Sequence, residues 1–118
     1  MDEGMSPLYA ASAFGRVECV RALLESGAEK DGAMEGGGTP LHGASAYCST
    51  GVVAVLVAAR VNLNARTDDG WTPLHSAADK KHVGIMRALI AAGADATLVD
   101  IAGRTARDLL PAALRAQL

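Results

Sequence analysis

Aromatic side chains are scarce in this 118-residue sequence: one Trp, one Phe and two Tyr stand against a hydrophobic content of 50%. Any core must therefore be aliphatic and rich in alanine, whose small side chain lets helices approach closely. Cysteine is nearly absent. Cys19 and Cys48 match no zinc-ligand spacing, and two cysteines with no other secretory feature do not make a disulfide framework. Long apolar runs are missing as well. The longest, from Val52 to Ala59, falls far short of the roughly 20 residues needed to span a bilayer, so no membrane span is expected. The opening MDEGMSPLY has neither the basic n-region nor the apolar h-region of a secretory signal, which predicts an intracellular protein, cytoplasmic or nuclear. The net charge of −2 and the isolated basic pair Lys80-Lys81 give no footprint for nucleic acid.

What is present is a period. Thr39-Pro40-Leu41-His42 and Thr72-Pro73-Leu74-His75 lie 33 residues apart, and the same step backwards reaches Ser6-Pro7-Leu8-Tyr9. A further step forwards reaches Thr105-Ala106-Arg107-Asp108, a decayed copy. Gly4, Gly37, Gly70 and Gly103 fall in register, as do Ala11, Ala44 and Ala77, and Leu23, Leu56 and Leu89. A fixed period of this length predicts a solenoid whose units stack on one another.

Each unit reads as two helices. Thr72 is suited to an N-cap, because its hydroxyl can accept from an orphan backbone N–H, and Pro73 suits the first helical position. Leu74, Ala77 and Ala78 share one face of that first helix. Val83, Met86, Leu89 and Ile90 form the apolar stripe of a second helix. Val17, Val20, Leu23 and Leu24 repeat the stripe, and so do Thr50, Val53, Leu56 and Val57, where β-branching makes the second unit the weakest helix former. Gly27 and Gly93 sit where a left-handed C-cap favours glycine. Arg60 replaces glycine at that position, while Cys48 and Lys81 replace Gly15 at the turn between the helices, each at a cost of about 1 kcal/mol or more if φ is positive there. Glu35-Gly36-Gly37-Gly38 predicts a loose, mobile connection. Arg16, Glu18, Arg21 and Glu25 offer a polar outer side at the start of the stack. At its end Pro111 interrupts the fourth unit, leaving Leu109, Leu110 and Leu114 to cover the third.

The segment Asp68–Ala96, DDGWTPLHSAADKKHVGIMRALIAAGADA, closely resembles the ankyrin repeat, whose signature is T-P-L-H-x-A. The resemblance implies an all-α ankyrin-repeat solenoid of stacked helix-turn-helix units joined by β-turn loops. It would form a single domain over 1–118, with repeats at about 1–33, 34–66 and 67–99 and a truncated cap at about 100–118. It also implies that His42 and His75 tie adjacent loops together by hydrogen bonds. A metal or catalytic role is disfavoured by spacing, because equivalent residues of successive units run parallel and do not converge. His82, at the turn into a second helix, is expected to be solvated.

No EF-hand pattern surrounds Asp68, Asp69 and Asp79, and no phosphate-loop lysine follows the glycine run. No catalytic residue, metal ligand or cofactor is therefore expected, and a small hydrolase using His42 or His75 is the weaker alternative. The resemblance implies instead a non-catalytic protein-interaction module, monomeric, that binds a partner protein through its turn tips and concave first-helix face. Carried over position by position, that surface comprises Met5, Gly38, Trp71 and Arg104 at the turns, Ala13, Ala46 and Asp79 on the helices, and Phe14, Tyr47 and Lys80 beside them, with Arg66 as a rim charge. Aromatic residues and arginine are the usual anchors of such interfaces. A regulatory or adaptor segment of a larger protein is a second possibility. Asn64 sits where ankyrin-type proteins can be hydroxylated. The charge is uneven too: residues 1–36 carry three Lys/Arg against seven Asp/Glu, and residues 37–118 carry eight against six, a gradient able to orient a partner during encounter.

Overall fold

Ser6, Thr39 and Thr72 each stand one residue before a proline, and each starts a helix. The computed structural model describes residues 5–118, and shows α1 (Pro7–Ala13), α2 (Val17–Glu25), α3 (Pro40–Ala46), α4 (Thr50–Ala58), α5 (Pro73–Asp79) and α6 (Val83–Ala91). A single 3₁₀ turn, Arg107–Leu109, and the short α7 (Ala112–Arg115) close the chain. The helices form two layers. α1, α3 and α5 pack side by side in one, and α2, α4 and α6 in the other, with the 3₁₀ turn set against α5.

The first helices begin alike because their caps are alike. The Ser6 hydroxyl accepts from the Tyr9 N–H at 3.0 Å, while Thr39 and Thr72 accept from the N–H groups of His42 and His75. They end alike too: Gly15, Cys48 and Lys81 all have positive φ, at 73°, 58° and 64°. At the end of the second helices Gly27, Arg60 and Gly93 do the same, at 92°, 63° and 109°. The expectation that Cys48, Lys81 and Arg60 occupy positions that favour glycine is thus met, and the period holds at the level of backbone torsions.

The core is aliphatic, as the composition requires. Leu8, Leu41 and Leu74 from the first helices meet Val20, Leu56 and Leu89 from the second, with Ala44 and Ala77 fully buried between them. One part of the expected stripe is displaced. Ile90 is exposed, whereas Val52 and Ile85 are 0% and 2% exposed. The reason is that α4 and α6 each pack on the second helix of the preceding pair as well as on the first helix of their own, so their buried surface is wider than one stripe. Cys19 holds the corresponding position in α2 and is exposed. It lines an apolar groove of about 430 Å³ with Pro7, Phe14 and Ala22. The outer side of the first pair is therefore not uniformly polar, although Arg16, Glu18, Arg21 and Glu25 are all exposed there. At the other end Ala106 and Leu110 are buried and Leu109 and Leu114 pack partly against the core, so the decayed copy does cover the third pair.

The loop at Glu35–Gly38 is not loose. Met34 N–H donates to the Gly38 carbonyl and Gly37 N–H to that of Met34, both at 2.8 Å, and Asp68 N–H donates to the Gly36 carbonyl at 2.9 Å. The next loops repeat this closure at Thr67–Trp71 and Asp100–Arg104, and Ile101 N–H donates to the Asp69 carbonyl. Gly37 and Gly70 have φ of 90° and 79°, and a Cβ on either would come within 2.9 or 3.0 Å of the Cα of Thr67 or Asp100. Glycine is required here by torsion and by close approach together.

Two buried groups are poorly served. The Ser12 and Ser45 hydroxyls are inaccessible and have no hydrogen-bond partner among the described residues, while Ala78 occupies the same position in α5. Ser45→Ala should therefore raise stability by about 1 kcal/mol, because an unsatisfied buried hydroxyl is removed and helix propensity improves. Urea denaturation is the measurement, and a loss of stability would show that the hydroxyl has a partner. Truncation after Val99 should act in the opposite sense. It removes Ala106 and Leu110 from the core, so a large fall in Tm or aggregation is expected, and an unchanged cooperative melt would show that residues 100–118 are not a cap.

Candidate interaction surface

The two Thr-Pro-Leu-His copies answer the question of what their histidines do. In each, the imidazole Nδ1 accepts the N–H of the capping threonine, at 3.1 Å for His42 and 3.2 Å for His75. An acceptor at Nδ1 places the ring proton on Nε2. Nε2 then donates to a carbonyl in the following loop, Trp71 O for His42 and Arg104 O for His75, both at 2.8 Å. Each histidine closes its own helix cap and fastens the next hairpin. Burial holds the His42 pKa below its ordinary value of 6.5, outweighing the opposing effect of its bond to the Trp71 carbonyl.

His82 departs from expectation. It is half-buried, and its Nε2 lies 3.2 Å from the Ala46 carbonyl. Ser49, one period earlier, donates from its hydroxyl to the Ala13 carbonyl at 3.3 Å. The position before α4 and before α6 thus reaches back to the preceding first helix, an attachment invisible to a helix-pattern reading. A third set of bonds runs along the far loops: Asn62 N–H donates to Asp31 Oδ1 and Asp95 N–H to Asn64 Oδ1, both at 2.8 Å. The Asn64 amide oxygen is thereby engaged in holding the next unit.

Trp71 also departs from expectation, since it does not stand free at a turn tip. It is half-buried and stacked on His75 with centroids 6.2 Å apart. Its indole Nε1 donates to Asp100 Oδ2 at 3.2 Å. Asp100, buried, also accepts from the backbone N–H groups of Ala102 and Arg104 and pairs with the Arg104 guanidinium at 2.9 Å. These donors, the Arg104 N–H foremost, lower its pKa to about 2 against the effect of burial. Asp100 was not signalled by the sequence because the equivalent positions are Thr67 and Met34. Only the hydroxyl of Thr67, which accepts the Trp71 N–H at 3.1 Å, performs part of the same duty.

The remaining candidates fall into two groups. Phe14, Tyr47 and Lys80 are the C-cap residues of α1, α3 and α5, so the solenoid sets them in a row. Phe14 and Tyr47 are 75% and 66% exposed and do not fill a gap between helices. Asp79, also exposed, ends α5 beside Lys80. Met5 is exposed ahead of the first cap. Arg66 is exposed, but its guanidinium donates to the Val99 carbonyl, which fixes it to the next loop and away from the row of C-caps. Between the hairpins and the first helices lies a groove of about 320 Å³ lined by Tyr9, Met34, Glu35, Asp69, Trp71 and Ser76 among others. Tyr9, Met34 and Glu35 were not singled out by sequence reasoning, since each falls off the positions carried over from the repeat pattern.

Stacked helix pairs joined by loops that are bonded to one another define a helical repeat solenoid. The chain belongs to the ankyrin repeat family: the family model of ankyrin repeats in three copies matches residues 29–100, and that of a single ankyrin repeat matches residues 3–32. No curated protein was found to match the chain. Among the described residues no helix is long and apolar enough to cross a membrane.

The depressed pKa of His42 makes stability depend on pH. Its folded-state value lies below the unfolded one, so its contribution is complete above about pH 6.5 and is lost as pH falls towards the folded value, where the unfolded chain binds the proton more readily. Tm should therefore decline between about pH 7 and pH 5, above the range in which Asp100 titrates. His42→Gln should lower Tm at neutral pH and flatten that decline. An equal slope in both proteins would assign the dependence elsewhere.

Proposed function

We propose that this chain is a non-catalytic recognition module that binds a partner protein through its hairpin tips and the exposed ends of its first helices. Ankyrin repeats are generally protein–protein interaction modules and typically non-catalytic. The observation that carries the reading is the row Phe14, Tyr47 and Lys80. Two large aromatic side chains are held in solvent at equivalent helix ends, 75% and 66% exposed, in a chain with only four aromatics. Exposed aromatics at a rigid, repeated position lose little entropy on binding and are common interface anchors. The histidines support the same reading, because both ring nitrogens of His42 and His75 are committed to backbone groups and none is left to abstract a proton.

The test begins with affinity capture and cross-linking to obtain a partner and a contact face. Tyr47→Ala combined with Lys80→Ala should then weaken binding by about 2 kcal/mol or more while leaving the melt nearly intact. Trp71 is unsuitable for this purpose, since its removal would also strip a donor from Asp100. Substitution of Arg21 and Glu25, exposed on α2, should change affinity little. Binding abolished by the α2 changes and indifferent to Tyr47 and Lys80 would place recognition on the opposite, convex side.

A further inference from the structure

The groove beneath the hairpins has a chemical character of its own. One wall is Tyr9, whose ring lies over α3 so closely that a Cβ on Gly43 would stand 3.0 Å from its Cζ. Trp71 contributes to the lining further along, and Met34 adds a polarizable thioether. Among the described residues the ionised side chains lining it are the carboxylates of Glu35 and Asp69, which belong to successive hairpins. Neither is in an ion pair among the described residues. The cations nearest in sequence are occupied elsewhere, Lys30 with the Ala59 carbonyl and Arg66 with the Val99 carbonyl. At about 320 Å³ the groove lies at the small end of the roughly 300–1,000 Å³ typical of ligand pockets, a size for one long side chain and not for a folded element.

Aromatic faces, a thioether and two unpaired carboxylates together are complementary to a flat cation. We propose that this groove receives an arginine side chain from an extended segment of the partner protein. The guanidinium stacks on the Tyr9 or Trp71 face, where the ring quadrupole attracts it, and its fork of N–H donors is met by Glu35 and Asp69. The proposal rests on the concave face being the recognition surface and adds the chemistry of what that face takes. A lysine would satisfy the charge but not the stacking plane, and an acidic segment would be repelled.

Trp71 is the single tryptophan of the chain and lines the groove, so its fluorescence reports occupancy. An acetylated, amidated tri-arginine peptide should change that fluorescence saturably, with a neutral tri-citrulline peptide about tenfold weaker or more and tri-lysine intermediate. Glu35→Gln with Asp69→Asn, both at exposed hairpin tips, should weaken tri-arginine by about tenfold without altering the melt. Glu18→Gln with Glu25→Gln removes the same charge from α2 and should change it less than about twofold. No saturable response, equal loss in both double variants, or tri-lysine binding as well as tri-arginine would each overturn the assignment. A captured partner that needs Tyr47 and Lys80 but is indifferent to Glu35 and Asp69 would overturn the arginine site alone. Indifference to Tyr47 and Lys80 would count against the recognition surface itself.

Discussion

None of the helices here can sustain itself in water. The first helices have seven residues and the second helices nine, whereas isolated helices shorter than roughly 12–15 residues are marginal even with favourable composition. Each must be held by its ends and by its neighbours. A holding point shared by two units is the imidazole of His42 and His75, which closes a cap on one nitrogen and secures the following hairpin on the other. Only a ring with an acceptor and a donor on opposite sides can serve two backbone groups of adjacent units at once, and only the neutral form has both. Burial, which disfavours the charged ring in His42, therefore preserves the form that the architecture needs.

The first unit shows what happens when that ring is absent. Tyr9 stands at the histidine position, and its N–H still meets the cap through Ser6. Its longer ring extends over α3. The residue beneath is Gly43, where α1 and α5 have Ala10 and Ser76, and no larger side chain would fit without moving the ring. The exchange of His for Tyr in one unit and the appearance of Gly in the next form one packing solution. It costs helix propensity in α3, about 1 kcal/mol for an interior glycine, and burial of the Tyr9 ring, which also raises its pKa, offsets part of that loss. The same exchange opens an aromatic wall towards the groove.

How much of this was legible in sequence follows from which features repeat. Helix starts, buried leucines and the glycine-type torsions at Cys48, Arg60 and Lys81 could be read because each recurs at a fixed step and has a local physical cause. The burial of Val52 and Ile85 in place of Ile90 was not legible, because a single stripe describes a helix with one neighbour and these have more than one. The attachments of His82 and Trp71 were not legible for a related reason: their partners, Ala46 and Asp100, lie 36 and 29 residues away and bond through a carbonyl or a carboxylate that no local pattern marks. The hairpin at Glu35–Gly38 looked loose because glycine signals freedom in isolation. Its real constraint, the backbone of Thr67 passing within 2.9 Å of a would-be Cβ, belongs to the next unit.

Within one chain the units serve as controls for one another. Where all three carry the same residue or torsion, a common structural duty explains it, as with Leu8, Leu41 and Leu74 or the positive φ at Gly15, Cys48 and Lys81. Where they differ without a packing reason, the difference is available for recognition. Trp71 and Arg104 meet this criterion only in part, since both also serve Asp100, although Trp71 lines the groove as well. Phe14, Tyr47 and Lys80 satisfy it: they share a C-cap backbone, differ in side chain and keep that side chain exposed. Glu35 and Asp69 satisfy it at the hairpins, whose closure is made by backbone groups and flanking residues and makes no use of their carboxylates. A surface defined in this way is polar at one edge, aromatic at the other and fixed by the same bonds that hold the helices, and under the proposed recognition role it is ordered in advance, so that little binding free energy would be lost to arranging it.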